Sequence, residues 1–222
     1  MGISSQLKLK IATHGGRRSG AGRKPGAQPR VPHLSRAGID AAHPMLVTVR
    51  VVRGLPSLRR RSLVRDFECA LVALHGRPGF RVVEYSIQTN HAHFLIEAND
   101  AEALGCGMKA LGARLARVAN RMLGRAGRVL ADRYHLRVLR TPREVRNGLA
   151  YVLLNRRKHL AQVGGVAPLA IDPASSGRWF SGWTTRAVPA RDPPAVSAAL
   201  SWLLRAGWLR WGKIDWAETP SR

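Results

Sequence analysis

Residues 89–98 of the chain read TNHAHFLIEA, in which two histidines flank one small apolar residue and an apolar run follows. In a β-strand, alternate side chains leave the same face, so His91 and His93 are predicted to point the same way. Cβ atoms two residues apart on a strand lie roughly 6.5–7 Å from each other, near enough for both imidazoles to bind one metal ion. A polar strand face without a metal is the alternative interpretation of the pair.

The charge of the chain indicates a polyanionic partner. Its 222 residues include 37 Lys and Arg against 13 Asp and Glu, which gives a formal net charge of +24. Such a surface attracts polyanions, because neutralising phosphates releases condensed counterions. Nucleic acid is favoured over an anionic membrane, since residues 1–6 fit a myristoylation pattern only loosely. No apolar run approaches the ~18–20 residues that span a bilayer, and no signal peptide opens the chain.

The two cysteines indicate a reducing compartment. Cys69 and Cys106 fall in separate predicted helices and lack any C-x-x-C spacing. We expect reduced thiols that form neither a disulfide nor a zinc site, as in a cytoplasmic protein.

Residues 1–43 are predicted to form a basic, flexible arm. Residues 15–26 read GGRRSGAGRKPG and hold too few apolar side chains to offset the entropy of ordering. Segments of this kind can lie along a narrow DNA minor groove, and a solvated tail is an equal alternative. The basic residues of the arm that are predicted to bind DNA are Arg17, Arg18, Arg23 and Lys24.

The globular pattern covers residues 44–160 and predicts the order β-α-β-β-α-β. Strands are expected at 45–52, 80–88, 91–98 and 134–140, and two amphipathic helices separate them. This order is that of the α+β, ferredoxin-like fold. The second helix carries an apolar stripe from Leu104 to Met122. Off this stripe lie basic residues that are predicted to contact phosphate, with simple solvation as the alternative: Arg114, Arg117 and Arg121.

A last helix begins at Thr141, where Pro142 and Glu144 complete a predicted capping box. Tyr151 and Asn155 are four residues apart and are predicted to share a face of this helix, away from its buried stripe. A phenol can attack a phosphodiester and form a phosphotyrosine. An amide oxygen one turn away can join two imidazoles around a divalent cation. A surface tyrosine without chemistry is the alternative.

Together these motifs resemble a known family. His91-Ala92-His93 resembles the HUH motif (His, hydrophobic residue, His), and residues 151–155 resemble the Tyr-x-x-x-Asn of the REP-associated tyrosine transposases. That family is related to the single-tyrosine transposases of single-strand insertion sequences. The resemblance covers roughly residues 44–160 and implies a ferredoxin-like fold with an additional active-site helix.

The resemblance also implies a function, DNA transposition. Tyr151 would be the nucleophile that cleaves single-stranded DNA and stays on its 5′ side. His91, His93 and Asn155 would hold Mg²⁺ or Mn²⁺. The expected partner is single-stranded or hairpin DNA formed by imperfect palindromes, bound by a monomer or a homodimer with the tyrosine in cis or in trans. Relatives include domesticated copies, so a non-catalytic DNA- or RNA-binding protein of the same fold is the second hypothesis.

The chain departs from the family pattern in two places. Relatives often have proline after the asparagine, whereas here the basic residues Arg156, Arg157 and Lys158 follow and are predicted to contact DNA. The second departure is the extension at residues 161–222, which holds all six tryptophans. We expect these rings mainly to anchor the extension, with base stacking as the alternative. A short helix is predicted at 196–204.

Overall fold

A computed structural model describes residues 38–162, 164–165, 170–185 and 190–220. The four predicted DNA-binding residues of the arm, Arg17, Arg18, Arg23 and Lys24, lie outside the described residues. The strands of the described part are β1 (Met45–Arg50), β2 (Phe80–Ile87), β3 (His91–Ala98) and β4 (His135–Val138). Its α-helices are α1 (Arg61–Val72), α2 (Ala101–Met122), α3 (Pro142–Leu153), α4 (Asn155–Gln162) and α5 (Trp202–Arg205).

The fold is mixed α+β, with a four-stranded antiparallel sheet in the order β2-β3-β1-β4. Strand β3 therefore lies inside the sheet, between β2 and β1. Thr48 of β1 and Ser86 of β2 are both register partners of His93. The second histidine of the pair thus sits inside the sheet with a short polar side chain on either side.

Helices α1 and α2 cover one face of the sheet. The predicted stripe of α2 is confirmed, since Leu104, Met108 and Leu111 are buried against the strands in one apolar cluster. Gly107 permits the close approach of this helix, because a Cβ at that position would lie 2.1 Å from the ring of Phe80. This layer contains most of the large buried side chains and leaves the opposite face of the sheet to the site.

The opposite face is covered by α3 and by the C-terminal segment. The predicted capping box of α3 is confirmed: Thr141 accepts a hydrogen bond from the Glu144 backbone N–H, and the Glu144 side chain accepts one from the Thr141 backbone. Leu95 of β3 and Leu149 of α3 share a second apolar cluster. Because Leu95 shares a strand face with His91 and His93, the two histidines point toward the α3 side of the sheet.

The six tryptophans of the extension divide into three pairs, of which Trp179 and Trp216 are partly buried and pack against the apolar clusters. Trp183 and Trp208 are buried in the second apolar cluster, in agreement with the anchoring interpretation. Trp202 and Trp211 are more than half exposed, at 52% and 53%. Anchoring therefore accounts for the buried and partly buried pairs and not for the exposed pair.

Three expected boundaries are wrong. Strand β1 ends at Arg50 rather than at residue 52, and β4 is shorter than 134–140. The C-terminal helix is only Trp202–Arg205 instead of 196–204. The reason is a buried carboxylate: Glu97 accepts hydrogen bonds from the backbone N–H groups of Leu200 and Ser201, and these bonds fix the chain before the helix begins.

A fourth correction concerns the candidate site. The helix that begins at Pro142 does not run on through Asn155, because the helical pattern breaks at Leu154 and α4 begins at the next residue. Tyr151 is therefore in the last turn of α3, and Asn155 is the first residue of α4. The prediction that the two residues share a face of one continuous helix is therefore wrong, because they lie on either side of a break.

Two further observations bear on sequence-based expectations. Cys69 and Cys106 are both free and exposed. Across the described ranges, none of the helices is both long and apolar enough to cross a bilayer.

Candidate active site

The histidines of β3 and the tyrosine of α3 lie side by side. The rings of His91 and His93 have their centroids 4.7 Å apart and meet edge to face. The ring of Tyr151 meets the ring of His93 in the same way, with centroids 4.9 Å apart. The sheet and α3 thus bring Tyr151 next to His91 and His93, which precede it by about sixty residues in the sequence.

A third imidazole contacts this group. His159 of α4 lies 5.5 Å from His91, measured between ring centroids, and is exposed. Tyr151 and His159 both contact the histidine pair, and Asn155 lies between them in sequence, four residues from each.

Hydrogen bonds to the Nδ1 atoms orient both imidazoles. Asn90 Oδ1 accepts a hydrogen bond from His91 Nδ1 at 2.8 Å, which leaves the lone pair on Nε2. His93 Nδ1 lies 2.9 Å from Thr48 Oγ1 on the neighbouring strand. When the Nδ1 proton of His93 is donated to that hydroxyl, Nε2 presents its lone pair. A partner at one ring nitrogen that fixes the other for a ligand is the usual arrangement of metal-binding histidines.

Both imidazoles are held in the neutral form. Burial, with smaller contributions from His91 and His159, lowers the pKa of His93 to about 3. Burial also lowers the pKa of His91 to about 4, with contributions from His159 and Arg50. At neutral pH the two side chains are therefore uncharged, which is the form that binds a cation.

Three buried polar atoms of Asn155 and His93 lack partners within the described protein. Asn155 has no exposed surface, and neither its Oδ1 nor its Nδ2 has a hydrogen-bond partner there. His93 Nε2 is also buried and without a partner among the described residues. Buried polar atoms are nearly always hydrogen-bonded, so an amide oxygen and an imidazole nitrogen left open are what a cation site requires.

The open atoms suit a divalent cation of the predicted kind. No three His, Cys, Asp or Glu side chains within the described ranges are arranged to hold a metal ion. A cation here would therefore depend on the imidazoles of His91 and His93 together with the amide oxygen of Asn155. Two nitrogens and one oxygen suit Mn²⁺ readily and Mg²⁺ less typically.

The predicted phosphate-binding residues occupy two different layers. Lys158 lies in α4 with its ammonium group 4.8 Å from the centre of the Tyr151 ring, so this cation is at the site. Arg156 is half exposed in the same helix and lies 3.8 Å from Asp172, and Arg157 is also in α4. The three predicted residues of α2 lie in the layer on the other side of the sheet: Arg114, Arg117 and Arg121. Of these, Arg121 forms an ion pair with Asp66 of α1.

Sequence reasoning missed three residues of the site: Asn90, which directly precedes His91, and the more distant Thr48 and His159. The signal for Thr48 is its alternation within β1, where buried Val47 and Val49 flank it and make it a side chain of the opposite face. The signal for His159 is its spacing, four residues after Asn155. Neither signal identifies a partner without the strand register and the helix break.

Comparisons with known proteins give distant structural matches, one of which is described below. No protein-family model matches the chain. No curated protein matches it. A solved structure described as "Structure of the REP associates tyrosine transposase bound to a REP hairpin" is similar to it with a TM-score of 0.46 and 14% sequence identity. The alignment covers 56% of this chain and 72% of that chain.

Proposed function

We propose that the protein is a metal-dependent, single-tyrosine endonuclease and strand transferase that cleaves and rejoins single-stranded or hairpin DNA, as in DNA transposition. The observation that carries the proposal is the ring contact between Tyr151 and His93, together with the lack of partners for His93 Nε2 and the Asn155 amide among the described residues. A phenol beside open metal-ligand atoms in a protein of net charge +24 suits an attack on a phosphodiester.

The cleavage step exchanges one ester for another. Tyr151 Oη attacks the phosphorus atom, the Oη–P bond forms and the P–O3′ bond breaks. The phenol gives up its proton to solvent, and the departing 3′ oxygen takes one from solvent. The 5′ end of the downstream strand is then held on the tyrosine. In rejoining, a 3′ hydroxyl attacks the same phosphorus, and Tyr151 leaves.

The residues around Tyr151 supply orientation and charge. His91, His93 and Asn155 would hold the divalent cation, which when bound polarises the phosphate. Thr48 fixes the ring of His93 through its hydroxyl. Lys158 places a positive charge over the tyrosine ring, where it attracts the phosphate that Tyr151 attacks.

The proposed fold is the ferredoxin-like one, with α3 and α4 added as active-site helices. Two observations support it. The elements up to β4 follow the order β-α-β-β-α-β, and the sheet order β2-β3-β1-β4 places β3 between β2 and β1. This arrangement turns the odd-numbered residues of β3 toward α3.

The experiment is a covalent-adduct assay with labelled hairpin DNA that carries single-stranded extensions, in Mn²⁺. We expect the wild type to cleave the strand and to migrate with the label on a denaturing gel. Tyr151→Phe should give neither product while still binding the DNA. Tyr134→Phe, at a partly buried tyrosine that packs against the apolar cluster of α1 and α2, is the matched control and should keep the activity. Cleavage by Tyr151→Phe at the wild-type rate contradicts the proposal, and binding without cleavage in the wild type favours a non-catalytic nucleic-acid-binding protein.

A further inference from the structure

An arginine-lined cavity opens beside the candidate active site. Its volume is about 440 Å³, and it lies between the start of α1, residues 173–174 and α4. We call it the arginine cleft. The residues that line it are Arg59, Arg61, Val64, Arg65, Glu68, Arg156, Pro173, Ala174 and Arg178. Five of these nine side chains are guanidinium groups, and one is a carboxylate.

Two of the arginines build the walls of the cleft. Arg59 donates to both carboxylate oxygens of Asp172 and to the carbonyl of Ile87, at distances of 2.5 to 2.9 Å. Arg178 forms a second two-point pair with Glu68, at 2.9 and 3.0 Å. Fixed ion pairs of this geometry join the C-terminal segment to α1 and to the end of β2, and so preform the cleft.

Two other arginines of the cleft are exposed and available to an anionic ligand. Arg61 and Arg65 are exposed and stand one turn apart on α1, where like charges repel each other. None of the ion pairs formed within the described ranges involves either of them. The first turn of α1 also contains no acidic residue. A preformed cleft with uncompensated cations fits an anionic ligand.

The cleft adjoins the candidate active site on two sides. Arg156, which contributes to its lining, directly follows Asn155 in α4. On the other side, Arg59 binds the carbonyl at the end of β2, and the Leu58 N–H donates to the carbonyl of Thr89 in the turn that leads to His91. A DNA strand whose phosphate lies at Tyr151 can therefore continue into the arginine cleft.

We propose that the arginine cleft binds the backbone of the single-stranded DNA segment that adjoins the cleaved phosphate. This inference rests on the proposed function. The volume lies in the range of pockets that hold a small ligand, which suits one or two nucleotides and not a duplex. Val64, Pro173 and Ala174 add an apolar wall against which a base or sugar can lie.

The test compares two double variants in a Tyr151→Phe background, so that cleavage does not affect binding. Arg61→Gln/Arg65→Gln removes two charges from the cleft, and Lys109→Gln/Arg117→Gln removes two from the exposed side of α2. The probes are a fluorescent hairpin with a single-stranded extension and the same hairpin with a blunt end. Their affinities are measured by anisotropy between 50 and 300 mM salt, and unfolding curves check that each variant folds.

We expect the cleft variant to weaken binding of the extended hairpin and to lower the slope of log K against log salt by about 1.4, because each lost single-strand phosphate contact contributes roughly 0.7. Its binding of the blunt hairpin should change little. Arg61→Lys/Arg65→Lys should keep most of the slope, since it keeps the charge. Equal losses in the cleft and α2 variants, equal losses for both probes, or no loss would overturn the proposal. A missing covalent adduct in the wild type would overturn the proposed function and leave this binding result standing.

Discussion

Replacement of Asn155 by leucine separates two effects of this side chain: its cost to stability in the absence of metal, and its contribution to metal binding. The carboxamide has no exposed surface, and neither of its polar atoms has a partner in the described protein. A buried polar group left without a hydrogen bond costs about 1–3 kcal/mol. Leucine has a similar size and no polar atom. In the absence of metal, Asn155→Leu should therefore stabilise the protein by roughly that amount, which raises Tm by several degrees for a chain of this length.

The order of stability of the wild type and Asn155→Leu should reverse when the cation is added. A ligand at one hundred times its Kd stabilises the folded state by about 2.7 kcal/mol. The wild type should gain this stabilisation in Mn²⁺, and Asn155→Leu should gain much less. The measurement is thermal unfolding in EDTA and across a Mn²⁺ titration.

Asn120→Leu is the matched control. Asn120 lies in α2, in the other layer, and donates to the carbonyl of Gly127 at 2.9 Å. Its Oδ1 is buried without a partner among the described residues. This variant loses a hydrogen bond worth about 0.5–1.5 kcal/mol and removes that unsatisfied oxygen, so its stability without metal should change little and it should keep the full Mn²⁺ shift. If Asn155→Leu destabilises the metal-free protein and still shows the wild-type Mn²⁺ shift, Asn155 does not bind the cation.

Three other perturbations test separate parts of the structure. Thr48→Val removes the hydroxyl at His93 Nδ1 and should raise the Mn²⁺ concentration needed for cleavage by about 10- to 100-fold; an unchanged Mn²⁺ midpoint would contradict this role. Burial raises the pKa of Glu84 from 4.5 to about 8, so the stability that its proton contributes is complete below pH 4.5 and is lost as the pH rises through 8. Glu84→Gln should abolish this loss, so the change in unfolding free energy between pH 5 and pH 8, measured in urea, should be less favourable in the wild type than in Glu84→Gln by roughly 4 kcal/mol. His91 and His93, whose lowered pKa values raise stability over the same range, contribute equally to both proteins. Gly107→Ala should destabilise the fold by about 1–3 kcal/mol in urea, because the added methyl group would overlap the ring of Phe80, and wild-type stability would refute this packing.

Local patterns in the sequence were sufficient for the elements that carry the site. Alternation alone predicts that His91 and His93 share a face of β3, and the capping box fixes the start of α3 at Thr141. These features depend on residues within a few positions of one another, where backbone geometry decides the outcome.

The parts that could not be predicted depend on contacts between distant residues. Thr48 meets His93 across 45 positions, and Arg59 meets Asp172 across 113. Such pairs follow from strand register and from the path of the C-terminal segment. The break at Leu154 carries no proline or glycine signal, so the sequence favours one continuous helix.

The sequence also did not indicate which face of the sheet each helix covers. The charges of α2 indicate phosphate contacts, whereas the sheet order places that helix across the sheet from His93. The arginine cleft joins residues of α1, α4 and the C-terminal extension, and no single stretch of sequence contains its pattern.

The most direct test of the account is peptide mapping of the covalent adduct. After reaction with hairpin DNA labelled at its 3′ end, nuclease and trypsin digestion should yield peptide 147–156 with a nucleotide attached. This peptide contains one tyrosine, Tyr151. We expect the nucleotide on this residue, and we expect the adduct to require Mn²⁺ or Mg²⁺. A nucleotide on another residue, or an adduct that forms equally in EDTA, would contradict it.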